Sequence, residues 1–253
     1  MTAGPRVSVV IPVYDAGDRL LDAVASVERQ GYEPLEILVV DDGSTDATPA
    51  VIASLGARVR ALRQANAGPA AARNRGLAAA RGELFAFLDA DDLWPDGKLR
   101  RQVGSLVADP ELDVVLGRVS YLPEAGAVQP ELHWEDPDAR TIVNVQVGSG
   151  VYRRRAFDRV GPFDETLRFN EDTDWLLRAR EAGLRMRILE DVTLVYRLHQ
   201  GNMTRAKGLQ QMSLTRVLKM SIERRRALGL GDGDLPAWRE FDDRTAGAER
   251  GPT

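Results

Sequence analysis

The chain has 253 residues, 43% of them hydrophobic, enough to bury the core of one large α/β domain or two small ones. A formal net charge of -4 gives no electrostatic footprint for nucleic acid, and the absence of cysteine excludes disulfides and thiolate metal sites. No apolar run approaches the roughly 18 residues of a membrane helix, and the first such run, 7–13, contains Pro12 and lacks a small-residue cleavage site. A cytoplasmic chain is expected, peripheral at most at the inner face of a membrane.

In chain order, Val7-Ser8-Val9-Val10-Ile11 predicts a buried strand ended by Pro12. Leu20, Leu21, Val24 and Val27 recur at helical spacing, with Gly31 as the stop. A second strand is expected over 36–40, followed by a helix to about Leu55 capped by Ser44 or Thr45. Residues 59–62 read as a weaker third strand. Pro69 opens an alanine-rich helix over 70–80, stopped by Gly82. Residues 84–88 form a fourth strand that runs into Asp89-Ala90-Asp91-Asp92, and Pro95 opens a helix with Leu99, Val103, Leu106 and Val107 on one face. Such strand–helix repeats predict an α/β fold, a mostly parallel central sheet flanked by helices. In such sheets ligands bind beyond the carboxyl ends of the strands, where both acidic clusters lie.

The second half is less regular. A strand is expected over 114–121 and a polar excursion with Pro123, Pro130 and Pro137 over 123–140. Asn170 reads as the N-cap of a helix carrying Trp175, Leu176 and Ala179 and ended by Gly183. Two short strands follow near 185–189 and 193–197, then a helix over 209–228 and a Gly/Asp-rich tail expected to be mobile.

Three carboxylates in four residues, Asp89, Asp91 and Asp92, repel one another at a strand end. A hard divalent cation, Mn²⁺ or Mg²⁺, relieves that repulsion; the plainer alternative is a solvated, helix-capping turn. Asp41 and Asp42 can accept from a nucleobase N–H or a ribose hydroxyl, or simply close an Asx-type turn. Arg73 can reach a base carbonyl or a phosphate, or pair with an acid at the surface. Glu171, Asp172 and Asp174 occupy a first helical turn, which favours acids whatever their use; an ionised carboxylate there can also serve as a general base. His199 can ligate the metal or touch a phosphate, or be structural, and His133 receives no role.

Val9-Val10-Ile11-Pro12-Val13-Tyr14, Val39-Val40-Asp41-Asp42-Gly43-Ser44-Thr45-Asp46, Ala72-Arg73-Asn74 and Leu88-Asp89-Ala90-Asp91-Asp92 occur in that order. Gly148-Ser149-Gly150, Gly161-Pro162-Phe163-Asp164-Glu165 and Asn170-Glu171-Asp172 follow. Each motif is weak alone; in series, over about residues 6–205, they resemble the family 2 glycosyltransferases of GT-A fold. The resemblance implies that Pro12, Tyr14, Asp42 and Arg73 surround the nucleobase and that Asp89 or Asp91 holds the ribose. It places the metal on Asp91 or Asp92, with His199 as a further candidate. Asp172, in the position of the family's Glu-Asp pair, is implied to be the catalytic base, with Glu171 as its substitute.

On this reading residues 1–205 form the glycosyltransferase domain, with a nucleotide-sugar half to about 120 and an acceptor half to 205. Residues 206–253 supply a C-terminal helix and tail. The expected reaction is metal-dependent, inverting transfer from a nucleoside-diphosphate sugar, UDP-sugar favoured, to a glycan, lipid-linked sugar, peptide or small metabolite. A peripheral membrane contact and a homodimer stay open. A haloacid-dehalogenase-type phosphatase fits poorly, because its Asp-x-Asp belongs after the first strand and position 93 here is leucine. A dinucleotide dehydrogenase lacks its Gly-x-Gly-x-x-Gly, a sugar-phosphate nucleotidyltransferase lacks its early glycine-rich phosphate loop, and a catalytically silent subunit has no need of both Asp91 and Asp172.

Overall fold

The computed structural model describes residues 4–124, 146–199, 202 and 214–231. In chain order the elements are β1 (Val7–Val13), α1 (Arg19–Glu28), β2 (Leu35–Asp41), α2 (Thr48–Leu55), β3 (Arg60–Arg63), α3 (Pro69–Ala79), β4 (Leu84–Phe87) and α4 (Lys98–Ala108). Then come β5 (Val114–Pro123), β6 (Val151–Arg153), α5 (Arg154–Val160), α6 (Glu171–Glu181), β7 (Met186–Leu198) and α7 (Leu214–Ala227). One seven-stranded sheet has the order β3-β2-β1-β4-β6-β5-β7. Only β6 is antiparallel to its neighbours; the other pairings are parallel.

Because successive residues of a strand face opposite sides, the continuous apolar runs feed two cores. Val7, Val9, Ile11 and Val13 join Leu20, Val24, Leu99, Val103 and Leu106 on one face. Val10, Leu38 and Val40 join Ala70, Ala72, Phe157, Phe163, Trp175 and Leu176 on the other. α3 lies tight on β1: a Cβ at Gly76 would stand 2.3 Å from Val10 Cγ1. β3 is an exposed edge with Arg60 and Arg63 pointing out, the charged edge that discourages pairing with other chains.

Several local expectations are corrected. α2 begins at Thr48 rather than under a Ser44 or Thr45 cap. The β1–α1 loop engages this segment instead: Ser44 Oγ accepts from Asp15 N at 3.0 Å, Thr45 N donates to Asp15 Oδ1 at 2.7 Å, and Thr48 Oγ1 accepts from Ala16 N and Gly17 N at 3.0 and 2.9 Å. α4 starts at Lys98, after a left-handed Gly97, and Val107 is 59% exposed instead of facing the core. The two short strands expected near 185–197 are one strand, β7, whose register against β5 shifts twice. β6 and α5 were not expected, because three strand residues are too few for a periodic signal. The excursion 123–140 beyond Glu124, His133, the start of the helix expected over 209–228 and the tail after 231 lie outside the described residues.

Candidate active site

Every functional candidate gathers at the carboxyl ends of the parallel strands. β1 ends in buried Pro12 and Val13, followed by Tyr14, 51% exposed. β2 ends in Asp41, whose Oδ1 accepts from Ser44 N at 2.8 Å. Asp42 is buried; its Oδ1 accepts from Gln64 Nε2 at 2.8 Å and Ala67 N at 2.9 Å, and its Oδ2 from Gly68 N at 2.8 Å. A carboxylate has about four acceptor positions, so Asp42 fixes the 64–68 loop and keeps one acceptor position on Oδ2. Gly43 meets the same loop so closely that a Cβ would lie 2.9 Å from Asn66 N, at a left-handed φ of +83°.

Arg73 is the centre of the site. It is buried on α3, and its two terminal nitrogens diverge. One donates to Asp89 Oδ1 at 2.6 Å, just past β4, and the other to Glu171 Oε1, the first residue of α6. Its Nε is buried without a hydrogen-bond partner among the described residues. Burial alone would lower the guanidinium pKa; Asp89, Glu171 and Asp172 more than reverse this and raise it. Burial pushes the Glu171 carboxyl up to about 7, opposed by Arg73 and helped by Asp172. Asp172 is partly exposed, beside its buried neighbour Glu171, and its Oδ1 accepts from Thr173 N at 2.7 Å. Asn170 occupies the N-cap position as expected but makes no side-chain cap bond and has a left-handed backbone, φ 59°.

Asn74, the next residue of α3, explains the motif over 161–165. Its amide pairs with Phe163 through both backbone groups at 2.9 Å, and it donates to Glu165 Oε1 at 2.9 Å. From α6, Trp175 Nε1 donates to Gly161 O at 2.9 Å and Arg178 reaches Val160 O and Pro162 O. The 161–165 motif therefore locks α6 to α3 and fixes where Glu171 and Asp172 stand. The 148–150 motif is clamped from the loop before α4, from α4 and from β7: Trp94 Nε1 donates to Gly148 O at 3.2 Å, Gln102 Nε2 to Ser149 O at 2.8 Å and Thr193 Oγ1 to the same oxygen at 2.8 Å.

The acidic loop after β4 is held by the end of β7. Leu93 and Val195 exchange backbone hydrogen bonds at 3.0 and 2.8 Å. His199 Nε2 lies 2.9 Å from Asp91 Oδ2, on a carboxylate side chain that is 32% exposed. Asp92 is instead buried, and its Oδ1 accepts from Arg197 N at 3.0 Å. Burial, then Asp91 and Asp89, push its carboxyl pKa well up, against Arg197. Among the described residues no three His, Asp or Glu side chains converge as a metal cage. The donor set present, one half-exposed carboxylate with an adjacent imidazole, suits Mn²⁺ or Mg²⁺, which take one or two protein ligands and complete their shell with phosphate oxygens and water.

Sequence reading missed Gln64, Asp22 and Arg197. Arg197 carried one signal: it stands two residues before His199, at the end of the strand that leads to it.

Residues 8–180 match the family model described as glycosyl transferase family 2. The chain is 31% identical over 218 residues to an uncharacterized glycosyltransferase of Bacillus subtilis, EpsJ, covering 79% of this chain and 63% of EpsJ. It is 30% identical over 247 residues to the succinoglycan biosynthesis protein ExoO of Rhizobium meliloti, covering 88% and 70%. Among solved structures it is similar to S. aureus TarS in complex with UDP-GlcNAc (TM-score 0.68, 21% identity, 85% of this chain and 65% of that one). It is also similar to the mannosyltransferase PcManGT of Pyrobaculum calidifontis in complex with GDP-Man and Mn²⁺ (TM-score 0.63, 23% identity, 94% and 68%). The chain thus spans about two thirds of the length of EpsJ, ExoO and PcManGT and of residues 1–349 of TarS, and with the two structures it shares a GT-A-like fold. On the extent of the family match and on identity across most of its length, the chain belongs to glycosyl transferase family 2.

Proposed function

We propose that this chain transfers a sugar from a nucleoside-diphosphate sugar, UDP-sugar favoured, to an acceptor hydroxyl with inversion at the anomeric carbon, using Mn²⁺ or Mg²⁺. The observation that carries the reading is Arg73. It joins Asp89 at the end of β4 to Glu171 at the start of α6, so that two acidic clusters far apart in sequence face one site. Pro12, Tyr14, Arg73 and the remaining acceptor position of Asp42 frame the nucleobase, and Asp89 takes the ribose. Asp91 and His199 would hold the metal, with Asp92 underpinning the loop from below. When bound, the metal neutralises the charge that develops on the departing diphosphate.

Asp172 accepts the proton of the acceptor hydroxyl while the acceptor oxygen bonds to the anomeric carbon. The bond from that carbon to the diphosphate oxygen breaks on the opposite face, and the nucleoside diphosphate leaves with the electron pair. Asp172 suits this better than Glu171 because it is partly exposed, whereas Glu171 is buried and committed to Arg73. Glu171 thereby keeps the guanidinium in place.

A thermal-shift panel of UDP, GDP and dTDP, with Mn²⁺, with Mg²⁺ and with EDTA, tests the reading. A ligand that binds only the folded state raises its stability by mass action. The largest shift is expected for UDP with metal, and Asp91→Asn is expected to abolish the metal dependence. Equal shifts in excess EDTA would remove the metal from the reading, and no shift with any nucleotide would remove the donor.

A further inference from the structure

Arg197 sits near the end of β7 with its side chain only 7% exposed, and it meets the acidic loop with backbone and side chain together. Its N–H donates to Asp92 Oδ1 at 3.0 Å, and its Nε donates to the carbonyl of Asp91 itself. The rest of the guanidinium turns away from the loop, to Asp22 Oδ2 on α1 at 2.9 Å and to the carbonyl of Arg19 at 3.2 Å. Two residues on, His199 presents Nε2 to Asp91 Oδ2. Asn202 braces the segment between them, accepting from His199 N at 2.5 Å and donating to Arg197 O at 3.1 Å.

We infer that Arg197 is a positioning residue for the Asp91–His199 pair, tying the loop that bears Asp91 to α1 so that carboxylate and imidazole keep their mutual orientation. This rests on the function proposed above. A planar guanidinium can donate in several fixed directions at once, which a lysine ammonium on the same stem cannot reproduce. Asp22 is 65% exposed, so its ion pair contributes little to stability; what it supplies is direction. The arrangement is economical, since Arg197 near the end of β7 and His199 just past it meet the same loop.

The test uses Arg197→Lys and Asp22→Asn in the full chain, with two readouts. The first is Mn²⁺ affinity in the presence of UDP, by calorimetry. Loss of a residue that orients a metal ligand typically costs about 10- to 100-fold in metal affinity, and that loss is expected for Arg197→Lys, with a smaller loss in the same direction for Asp22→Asn. The second is the ring ¹H–¹⁵N spectrum of the metal-free protein at fixed pH. The chain has 2 histidines, so the His199 signals are identified by comparison with His133→Gln, and they are expected to move in both variants. A folded Arg197→Lys protein with unmoved His199 signals and parental Mn²⁺ affinity would overturn the inference, leaving Arg197 a simple strut. If the parent shows no Mn²⁺ linkage, the metal reading fails and the spectra still decide the role of Arg197. If Arg197→Lys does not fold, unmoved His199 signals in Asp22→Asn overturn it.

Discussion

On one side of the sheet, β1 to β4 run parallel, each followed by a helix. On the other, the three-residue β6 runs antiparallel between β4 and β5, and β7 takes the far edge. In the first region, position follows from chain order: a strand ends, a turn follows, and the acids lie in the turn. In the second, position is imposed from a distance. Arg73 and Asn74 reach nearly a hundred residues forward to Glu171 and to the 161–165 motif, and Arg197 reaches back past a hundred to Asp91. The regular side is therefore suited to holding the constant part of a donor. On the proposed function, the side assembled by long-range contacts sets where the chemistry happens.

That division of labour is most exposed at Asp172. Asp172→Asn keeps the shape and removes the proton acceptor, and general-base catalysis contributes roughly 10²- to 10⁴-fold. Transfer is expected to fall by about that factor while donor affinity, measured by calorimetry, hardly changes. Loss of nucleotide binding instead would put Asp172 on the donor side and dissolve the distinction.

A second break is aimed at the back of α6. Arg224 on α7 pairs with Asp174 at 2.9 Å and Glu181 at 2.7 Å, carboxylates whose side chains are 1% and 4% exposed, and Val217 packs with Leu167 and Leu177. Arg224→Met leaves Asp174 with Arg178 but takes the guanidinium from Glu181. An unmade bond at a buried polar group costs about 1–3 kcal/mol. Urea unfolding is expected to show a loss of that order with an unchanged slope, and nucleotide binding should stay intact. Coupled loss of both would mean that the two sides are one energetic unit.

The finest test is the pH dependence of stability. The carboxyl of Glu171 is pushed up to about 7 in the folded chain, above the ordinary value for glutamate near 4.3. The folded state thus retains a proton that the unfolded state has released, and stability is expected to fall as pH rises between those two values. Glu171→Gln should flatten that stretch of the profile in urea titrations from about pH 5 to about pH 8. An unchanged slope would show that Arg73 keeps Glu171 ionised throughout.

The same contrast governs what could be read from residues alone. Continuous β-branched runs and helical spacing disclosed β1, β2, β4, α1 and α3 with their acidic turns, because local chemistry decides those elements. β6 escaped notice because its three residues are ordered by Tyr152 and Val151 pairing with strands distant in sequence. The break expected inside β7, between 189 and 193, falls on the exposed Glu190 and Asp191. The strand instead carries them outward, where Glu190 pairs with Arg118 and Asp191 with Arg101. Among site residues, Asp91 and His199 were each visible as potential ligands. Their contact at 2.9 Å was not, since nothing local brings positions 91 and 199 together.

Gly76 has a consequence beyond its fit against Val10. Three residues after Arg73, it lets the backbone of α3 settle directly on the Val10 side chain of β1, and that seat helps to set where the guanidinium stands between Asp89 and Glu171. The smallest residue of the helix acts as a gauge block for its largest charge. A side chain at 76 would collide with Val10, and unless Val10 gave way the helix would be pushed off its seat, carrying Arg73 with it.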